Sequence, residues 1–248
     1  MRLTVLGGCG AWPAAGQACS GYLVEHEGFR VLVDPGYATL PRLLELVRAE
    51  DVDAVLVSHG HPDHCSDLNP LLRARALGDA PPAALPVHAP PGALDAVLAL
   101  DRAGMLAGSF EPHDLRPGTP CEVGPFLMEA FPLPHHVPNA GLRLSAGGRT
   151  VAYTGDTGPD PALVTLAAGA DLLLAEATYP ERVPDEDAPY LSTARDAGRT
   201  AAAAGAGRLL LTHLWPGTPH EPALAAAAAS YAGGTAVAVG GLTVDLGG

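Results

Sequence analysis

The stretch Ser58-His59-Gly60-His61-Pro62-Asp63-His64 packs three imidazoles and a carboxylate into six positions directly after the apolar run Ala54–Val57. Histidine nitrogen and aspartate oxygen are the donors zinc prefers, and a catalytic zinc keeps one coordination position open. The bland alternative is a solvated turn that happens to be rich in histidine. Three more segments repeat the pattern of a strand followed at once by a coordinating side chain: His135 after Phe126–Pro134, Asp156 after Thr150–Gly155, and His213 after Arg208–Thr212. Were these strand ends to share one sheet edge, the four donors would meet where α/β folds place their sites. A two-metal hydrolytic site needs ions about 3.5–4 Å apart and a carboxylate between them. The inventory divides accordingly, with His59, His61 and His135 for one ion, Asp63, His64 and His213 for the other, and Asp156 between the two. Neutral imidazoles with carboxylates suit zinc, manganese or iron alike.

These donors need strands to hold them. Apolar runs and alternation predict strands near 2–6, 20–25, 28–33, 53–57, 126–132, 149–154, 171–175, 208–212 and 235–245. Helical spacing predicts helices near 39–50, 67–77, 92–103, 160–168, 193–205 and 221–231. The alanine-rich stretches at 200–206 and 222–229 fall in helical contexts, where alanine is the best former. Strands cluster early and then alternate with helices, which predicts layered α/β packing in two sheets or one large mixed sheet. No repeat and no linker divides the chain, so residues 1–248 are read as a single domain.

Composition removes several function classes. All 14 basic residues are arginines, set against 27 acidic ones, for a net charge of -13. Schiff-base and phosphate-loop lysines are thereby excluded. Nucleic-acid affinity comes mainly from neutralising phosphates, so a nucleic-acid partner is not expected, and a small-molecule substrate is. The four cysteines, Cys9, Cys19, Cys65 and Cys121, show no paired spacing and read as free thiols. No charged-then-apolar leader and no apolar run near 18 residues is found, so a cytoplasmic protein with no membrane attachment is expected.

With these segments in hand the chain resembles the metallo-β-lactamase-fold hydrolases. "SHGHPDH" is similar to their H-x-H-x-D-H signature, and "TGD" at Asp156 and "THL" at His213 stand in the order that family uses. The resemblance implies an αββα sandwich, two mixed β-sheets flanked by helices, with a dinuclear site on one edge. It also implies that Asp34, at the end of "VLVDPG", orients a ligand from behind. Within that group the chain looks most like ribonuclease Z and the related bacterial cyclic-nucleotide phosphodiesterases. "LTVLGGCGAWPAAGQACSGYLV" resembles their opening segment. "PHHVPNAGLRL" resembles their third motif, whose histidine lies six residues before a glycine. That count selects His135 over its neighbour His136.

Two positions depart from ribonuclease Z. Ala175 precedes Glu176-Ala177-Thr178 where that family has histidine, and Leu191 precedes Ser192-Thr193 where it has the histidine that helps the leaving group depart. Leu191 cannot protonate anything, so Tyr190 or His136 are the candidates to take its place. There is also no room for a tRNA-gripping arm. The expected reaction is therefore metal-dependent hydrolysis of a small phosphodiester such as a cyclic nucleotide. Two divalent ions, zinc foremost with manganese or iron as alternatives, would activate a water that Asp63 and Asp156 orient, with Asp63 accepting a proton. Backbone groups near Gly7, Gly8 and Ser192 are the expected phosphate pocket. The alternative is hydrolysis of a thioester, lactone or lactam, with tRNA processing and a non-catalytic metal-binding scaffold below it. A homodimer is a common state in this branch. His26, His88, His113, His220, Cys65, Trp12 and Trp215 are read as packing or surface residues, and "PDEDAP" at 184–189 as a solvated loop near the entrance.

Overall fold

A computed structural model describes residues 1–247. Among the described residues fourteen strands form two seven-stranded sheets. In chain order they are β1 (Arg2–Gly7), β2 (Gly21–His26), β3 (Phe29–Val33), β4 (Ala54–Leu56), β5 (Leu85–Ala89), β6 (Phe110–Asp114), β7 (Cys121–Val123), β8 (Phe126–Leu133), β9 (Asn139–Ala146), β10 (Arg149–Tyr153), β11 (Leu172–Glu176), β12 (Arg208–Thr212), β13 (Gly234–Val237) and β14 (Thr243–Asp245). The first sheet runs β14-β1-β2-β3-β4-β5-β6 and the second β13-β12-β11-β10-β9-β8-β7. Seven α-helices lie outside them: α1 (Thr39–Leu44), α2 (Pro62–Cys65), α3 (Leu68–Ala76), α4 (Asp95–Leu98), α5 (Ala162–Ala167), α6 (Ala194–Ala204) and α7 (His220–Ala228).

Period-two alternation explains why both faces of the central strands are apolar. Leu172 and Leu174 of β11 point between the sheets, and Leu173 and Ala175 point to the helices behind. Val31 and Val33 of β3 face inward likewise, while Leu32 packs outward with Leu43, Leu68, Leu71 and Leu72. A strand buried on both faces reads as a continuous hydrophobic run. Three core layers follow: one between the sheets around Tyr22, Phe126 and Met128, and one under each helical flank. The architecture is the expected αββα sandwich. The alanine-rich segments form closely approaching helices; a Cβ on Gly198 of α6 would stand 2.4 Å from the Ala227 carbonyl of α7.

Several sequence expectations are corrected. The run 235–245 is two strands, because Gly240 and Gly241 break it and its second half crosses to pair with β1 in the other sheet. The predicted helices 39–50 and 92–103 shrink to 39–44 and 95–98, the first giving way to a turn and a 3₁₀ segment at Ala49–Asp51. Strands β5, β6, β7 and β9 are absent from the sequence reading. Pro86 in β5 and Pro112 in the edge strand β6 disguise their segments.

Topology fixes where loops emerge. Strands β3, β4, β5 and β6 are mutually parallel, as are β10, β11, β12 and β13. Strand β8 is antiparallel to β9, which is antiparallel to β10, so β8 and β10 also end together. The donor-bearing strand ends thus lie along one side of the sandwich. They do not belong to one sheet, as a single-sheet reading would have it: β4 ends in the first sheet, while β8, β10 and β12 end in the second.

Candidate metal centre

The segment after β4 changes conformation halfway through. His61 is extended (φ -70°, ψ 144°), and Pro62 at the first helical position opens α2. Extended backbone sends His59 and His61 to the same side, and the first helical turn turns Asp63 and His64 toward a neighbouring point. His59 Nε2 and His135 Nε2 each lie 3.1 Å from His61 Nδ1, and each lies 3.8 Å from Asp156 Oδ2. On the other side His64 Nε2 is 3.4 Å from Asp63 Oδ2 and 3.3 Å from Asp156 Oδ1, and His213 Nε2 is 3.2 Å from Asp63 Oδ2 and 3.0 Å from Asp156 Oδ2.

Four donors placed tetrahedrally about 2.0–2.1 Å from a cation stand about 3.3 Å from one another. The separations just given run from 3.0 to 3.8 Å, around that spacing, and the two sets share Asp156. His64 Nε2 and Asp156 Oδ1 are buried with no hydrogen-bond partner, which a protein interior does not tolerate without cause. The residues present therefore fit a pair of divalent cations, with His59, His61, His135 and Asp156 for one and Asp63, His64, His213 and Asp156 for the other. All seven sequence-predicted donors converge here. His136 does not: its side chain is 43% exposed and its ring packs on Tyr190, 3.8 Å from an Asp187 oxygen.

Four of the five histidines have the ring nitrogen facing away from the centre held. His64 Nδ1 meets Asp34 Oδ2 at 2.8 Å, His59 Nδ1 meets Ser58 Oγ at 3.0 Å, His135 Nδ1 meets the Tyr190 carbonyl at 3.0 Å, and His213 Nδ1 meets Thr178 Oγ1 at 2.9 Å. Such contacts set the tautomer that leaves Nε2 free to bind. Asp34 also accepts from the Ser58 amide and hydroxyl and from the Tyr153 hydroxyl, each at 2.7 Å. Thr178 donates to Glu176 at 2.6 Å, so Glu176 supports His213 through a hydroxyl. The Ala11 amide donates to Asp63 Oδ2 at 2.8 Å. Asp34 (φ 49°) and His213 (φ 62°) both occupy the left-handed region, a strain that surrounding structure must impose.

Electrostatics divides the histidines. Burial lowers the pKa of His59 and His61, and of His135 to about 4. Burial also opposes charge on His64 and His213, yet the Asp156 and Asp63 carboxylates outweigh it and raise both. The same pairing overcomes burial at Asp63 and Asp156 and holds both carboxyls well below their usual range. Burial, reinforced by Asp156, raises Glu176 to about 8. Burial raises the Cys65 thiol to about 12, so it remains a thiol whose Sγ donates to the His61 carbonyl.

Sequence reasoning missed the roles of Ser58, Tyr153, Thr178 and Glu176. The adjacency of Ser58 to His59 was the one available signal; the others are brought close only by the fold. The Ser192 part of the expected phosphate pocket is corrected. The Ser192 amide donates to Glu176 at 2.8 Å and its hydroxyl to the Thr157 carbonyl at 2.6 Å. A Cβ on Gly7 or Gly8 would strike the Cys19 or Ala238 carbonyl at 2.2 and 2.3 Å, so these glycines serve close packing.

Comparison with known proteins agrees with this geometry. Residues 29–214 match the model of the β-lactamase superfamily domain. A probable metallo-hydrolase, YhfI of Bacillus subtilis, is 34% identical over 86% of this chain and 87% of its own. A ribonuclease Z of Kineococcus radiotolerans is 32% identical over 92% of this chain and 87% of its own. The crystal structure of YhfI, itself a metallo-β-lactamase fold protein, superposes with a TM-score of 0.89 over 98% of both chains. The zinc-bound PqqB of Methylobacterium extorquens, 18% identical, shares the fold with a TM-score of 0.78 over 99% of this chain and all of its own. Family match, full-length relatives and a donor-lined edge agree, and the chain belongs to the metallo-β-lactamase superfamily of metal-dependent hydrolases.

Proposed function

We propose that this hydrolase cleaves a phosphodiester in a small molecule, using two divalent cations, zinc foremost. The observation that carries the reading is the sharing of Asp156 by two four-donor sets at coordination spacing. Bound there, a cation pair supplies charge to offset the phosphoryl oxygens and an activated water. The chain's own residues do the rest. Asp156 lies between the two sets. Asp63, fixed by the Ala11 amide and His213, offers an acceptor for the water's proton. Ser58, Asp34, Thr178 and the Tyr190 carbonyl hold the imidazoles in register.

Relatives named ribonuclease Z, which act on RNA, support phosphodiester chemistry. Charge favours a smaller substrate. The segment Glu181–Asp187 carries four carboxylates and one arginine, and Arg182 is engaged by Asp185 at 3.0 Å. That segment packs by the site, with Asp187 beside His136 and the Tyr190 amide donating to its carbonyl at 2.8 Å. It repels a polyanion. The side chain at Leu191 supplies no proton, so the reading calls for a diester with a good leaving group or for protonation of the leaving oxygen by water or another side chain. The test is metal analysis joined to a panel of phosphodiesters, thioesters and lactones on wild type and Asp156→Ala. Wild type should hold two metal equivalents and cleave a phosphodiester; Asp156→Ala should lose a metal equivalent and at least 100-fold in kcat/KM. Thioester or lactone turnover with no phosphodiester cleavage would refute the substrate class, and full activity in Asp156→Ala would refute the shared carboxylate.

A further inference from the structure

Three buried aromatic rings, Tyr22, Phe126 and Tyr153, sit in the apolar layer between the sheets. Phe126 shows that a ring alone can fill such a place. Tyr22 and Tyr153 each add a hydroxyl, and a hydroxyl buried among apolar atoms costs stability unless it is hydrogen-bonded. Both are bonded, and each bond crosses from one sheet to the other. Tyr22 belongs to β2 of the first sheet, and its Oη lies 2.5 Å from Thr212 Oγ1 at the end of β12 in the second. Tyr153 belongs to β10 of the second sheet, and its hydroxyl donates at 2.7 Å to Asp34 Oδ2, just past β3 of the first. The rings pack on each other with centroids 5.1 Å apart. They form a reciprocal pair of struts.

Both struts end beside ligands of the same cation. Thr212 precedes His213, and the Gly8 carbonyl that the Thr212 hydroxyl approaches at 3.4 Å also accepts the His213 amide at 2.8 Å. Asp34 is the partner of His64 Nδ1. His64 and His213 are the two imidazoles of the set completed by Asp63 and Asp156. The other set is held by different means: His135 by the Tyr190 carbonyl, and His59 by Ser58, whose amide keeps its own bond to Asp34 Oδ1. We infer that Tyr22 and Tyr153 are positioning residues for the cation of the Asp63, His64, His213 and Asp156 set. His64 follows a strand of the first sheet and His213 a strand of the second, so their Nε2 atoms meet at Asp156 only when the sheets keep a fixed spacing. Apolar packing is non-directional, whereas a hydrogen bond fixes a distance and an angle. A phenol holds that distance with only two side-chain torsions to freeze. The inference rests on the two-cation part of the proposed function and is independent of which bond is cleaved.

Tyr22→Phe and Tyr153→Phe remove the hydroxyls and leave the rings, so the layer stays filled. Each is combined with His61→Ala, which takes a donor from the first set only, and with His213→Ala, which takes one from the second only. Zinc affinity is measured by competition with a chromogenic chelator. In the His61→Ala background each tyrosine substitution should weaken zinc binding about tenfold. That is the low end of the cost of losing a ligand's orienting contact, because each tyrosine acts through one intervening residue. In the His213→Ala background the dissociation constant should stay within twofold. With all seven donors in place, one of the two zinc constants should rise and the other hold. Tyr231→Phe, which removes a hydroxyl bonded to the Ala206 carbonyl behind the second sheet, should move neither. Equal weakening in both backgrounds would mean that the pair stiffens the whole edge, and would overturn the inference. So would unchanged constants beside a lowered thermal midpoint, since the hydroxyls would then serve the core alone. A wild-type protein holding a single zinc equivalent would refute the two-cation reading and the struts with it. Two equivalents that ignore both tyrosine substitutions would refute the struts and leave that reading standing.

Discussion

Histidine is used in two protonation modes within this one cluster. His59, His61 and His135 are held neutral by burial, His135 to a pKa of about 4, while His64 and His213 are held charged by Asp63 and Asp156 when no cation is bound. The signs for the metal-free protein are opposite. For the first three the unfolded chain, titrating near 6.5, binds more protons, so stability rises with pH from about 4 toward 6.5. For His64 and His213 the folded state binds more protons, so their contribution is full below about 6.5 and is lost as pH rises through their raised values. Metal-free protein should accordingly be most stable near pH 6.5, with thermal midpoints falling on both sides. A cation must displace the protons from His64 and His213 to reach their Nε2 atoms. Calorimetric titration with zinc at pH 7, in two buffers of different ionisation enthalpy, should show one to two protons released. Zero release, or a midpoint rising steadily to pH 9 without metal, would contradict this division.

At the scale of elements, what was legible followed from how each strand is buried. Strands β3, β4, β10, β11 and β12 are apolar on both faces and announce themselves as runs, so the donors at four strand ends could be read before any fold was known. Strand β9 was hidden by Gly141, Arg143 and Ser145 within it, and β6 by its exposed charged positions at a sheet edge. The membership of β4 in one sheet and β8, β10 and β12 in the other was beyond local pattern, because pairing is non-local. Backbone contact between loops was equally hidden. The loop after β1 closes on the end of β12, with the Gly10 amide donating to the Leu214 carbonyl at 3.0 Å and the His213 amide to the Gly8 carbonyl at 2.8 Å. A Cβ at Gly10 would lie 2.7 Å from the His213 carbonyl and 2.8 Å from ring atoms Cε1 and Nδ1. Gly10→Ala must therefore push the imaginary methyl's neighbours aside, rotating His213 off Thr178. The expected effect is a metal affinity lower by about 10–100-fold, the usual cost of losing a ligand's orienting contact, with the core intact. Competition against a chromogenic chelator measures it; unaltered affinity would mean that the loop yields and the imidazole stays.

For the whole molecule, the arrangement of donors would make a bound cation pair a clasp between the two sheets. His59, His61, Asp63 and His64 follow β4 in the first sheet, and His135, Asp156 and His213 follow strands of the second. Each four-donor set takes two residues from each side. The sandwich does not depend on this clasp for its existence, since a large apolar layer led by Tyr22, Phe126 and Tyr153 joins the sheets away from the edge. Loss of metal should thus lower stability without abolishing folding, unlike small zinc domains that unfold when stripped. Mass action sets the size: free cation at 100 times its dissociation constant adds about 2.7 kcal/mol per site, or roughly 5–10 °C for a chain this long. A bound metal would also relieve crowded carboxylates in a protein of net charge -13, so added salt should narrow the gap between the two forms slightly. Scanning calorimetry with zinc and with a chelator should show one cooperative transition in both states, displaced downward by chelator and restored by zinc. Because the clasp joins the sheets, amide exchange should quicken at both halves of the edge together, in the loop after β4 and in those after β8, β10 and β12. Faster exchange on one side alone would mean that the cations belong to a single sheet's loops and fasten nothing.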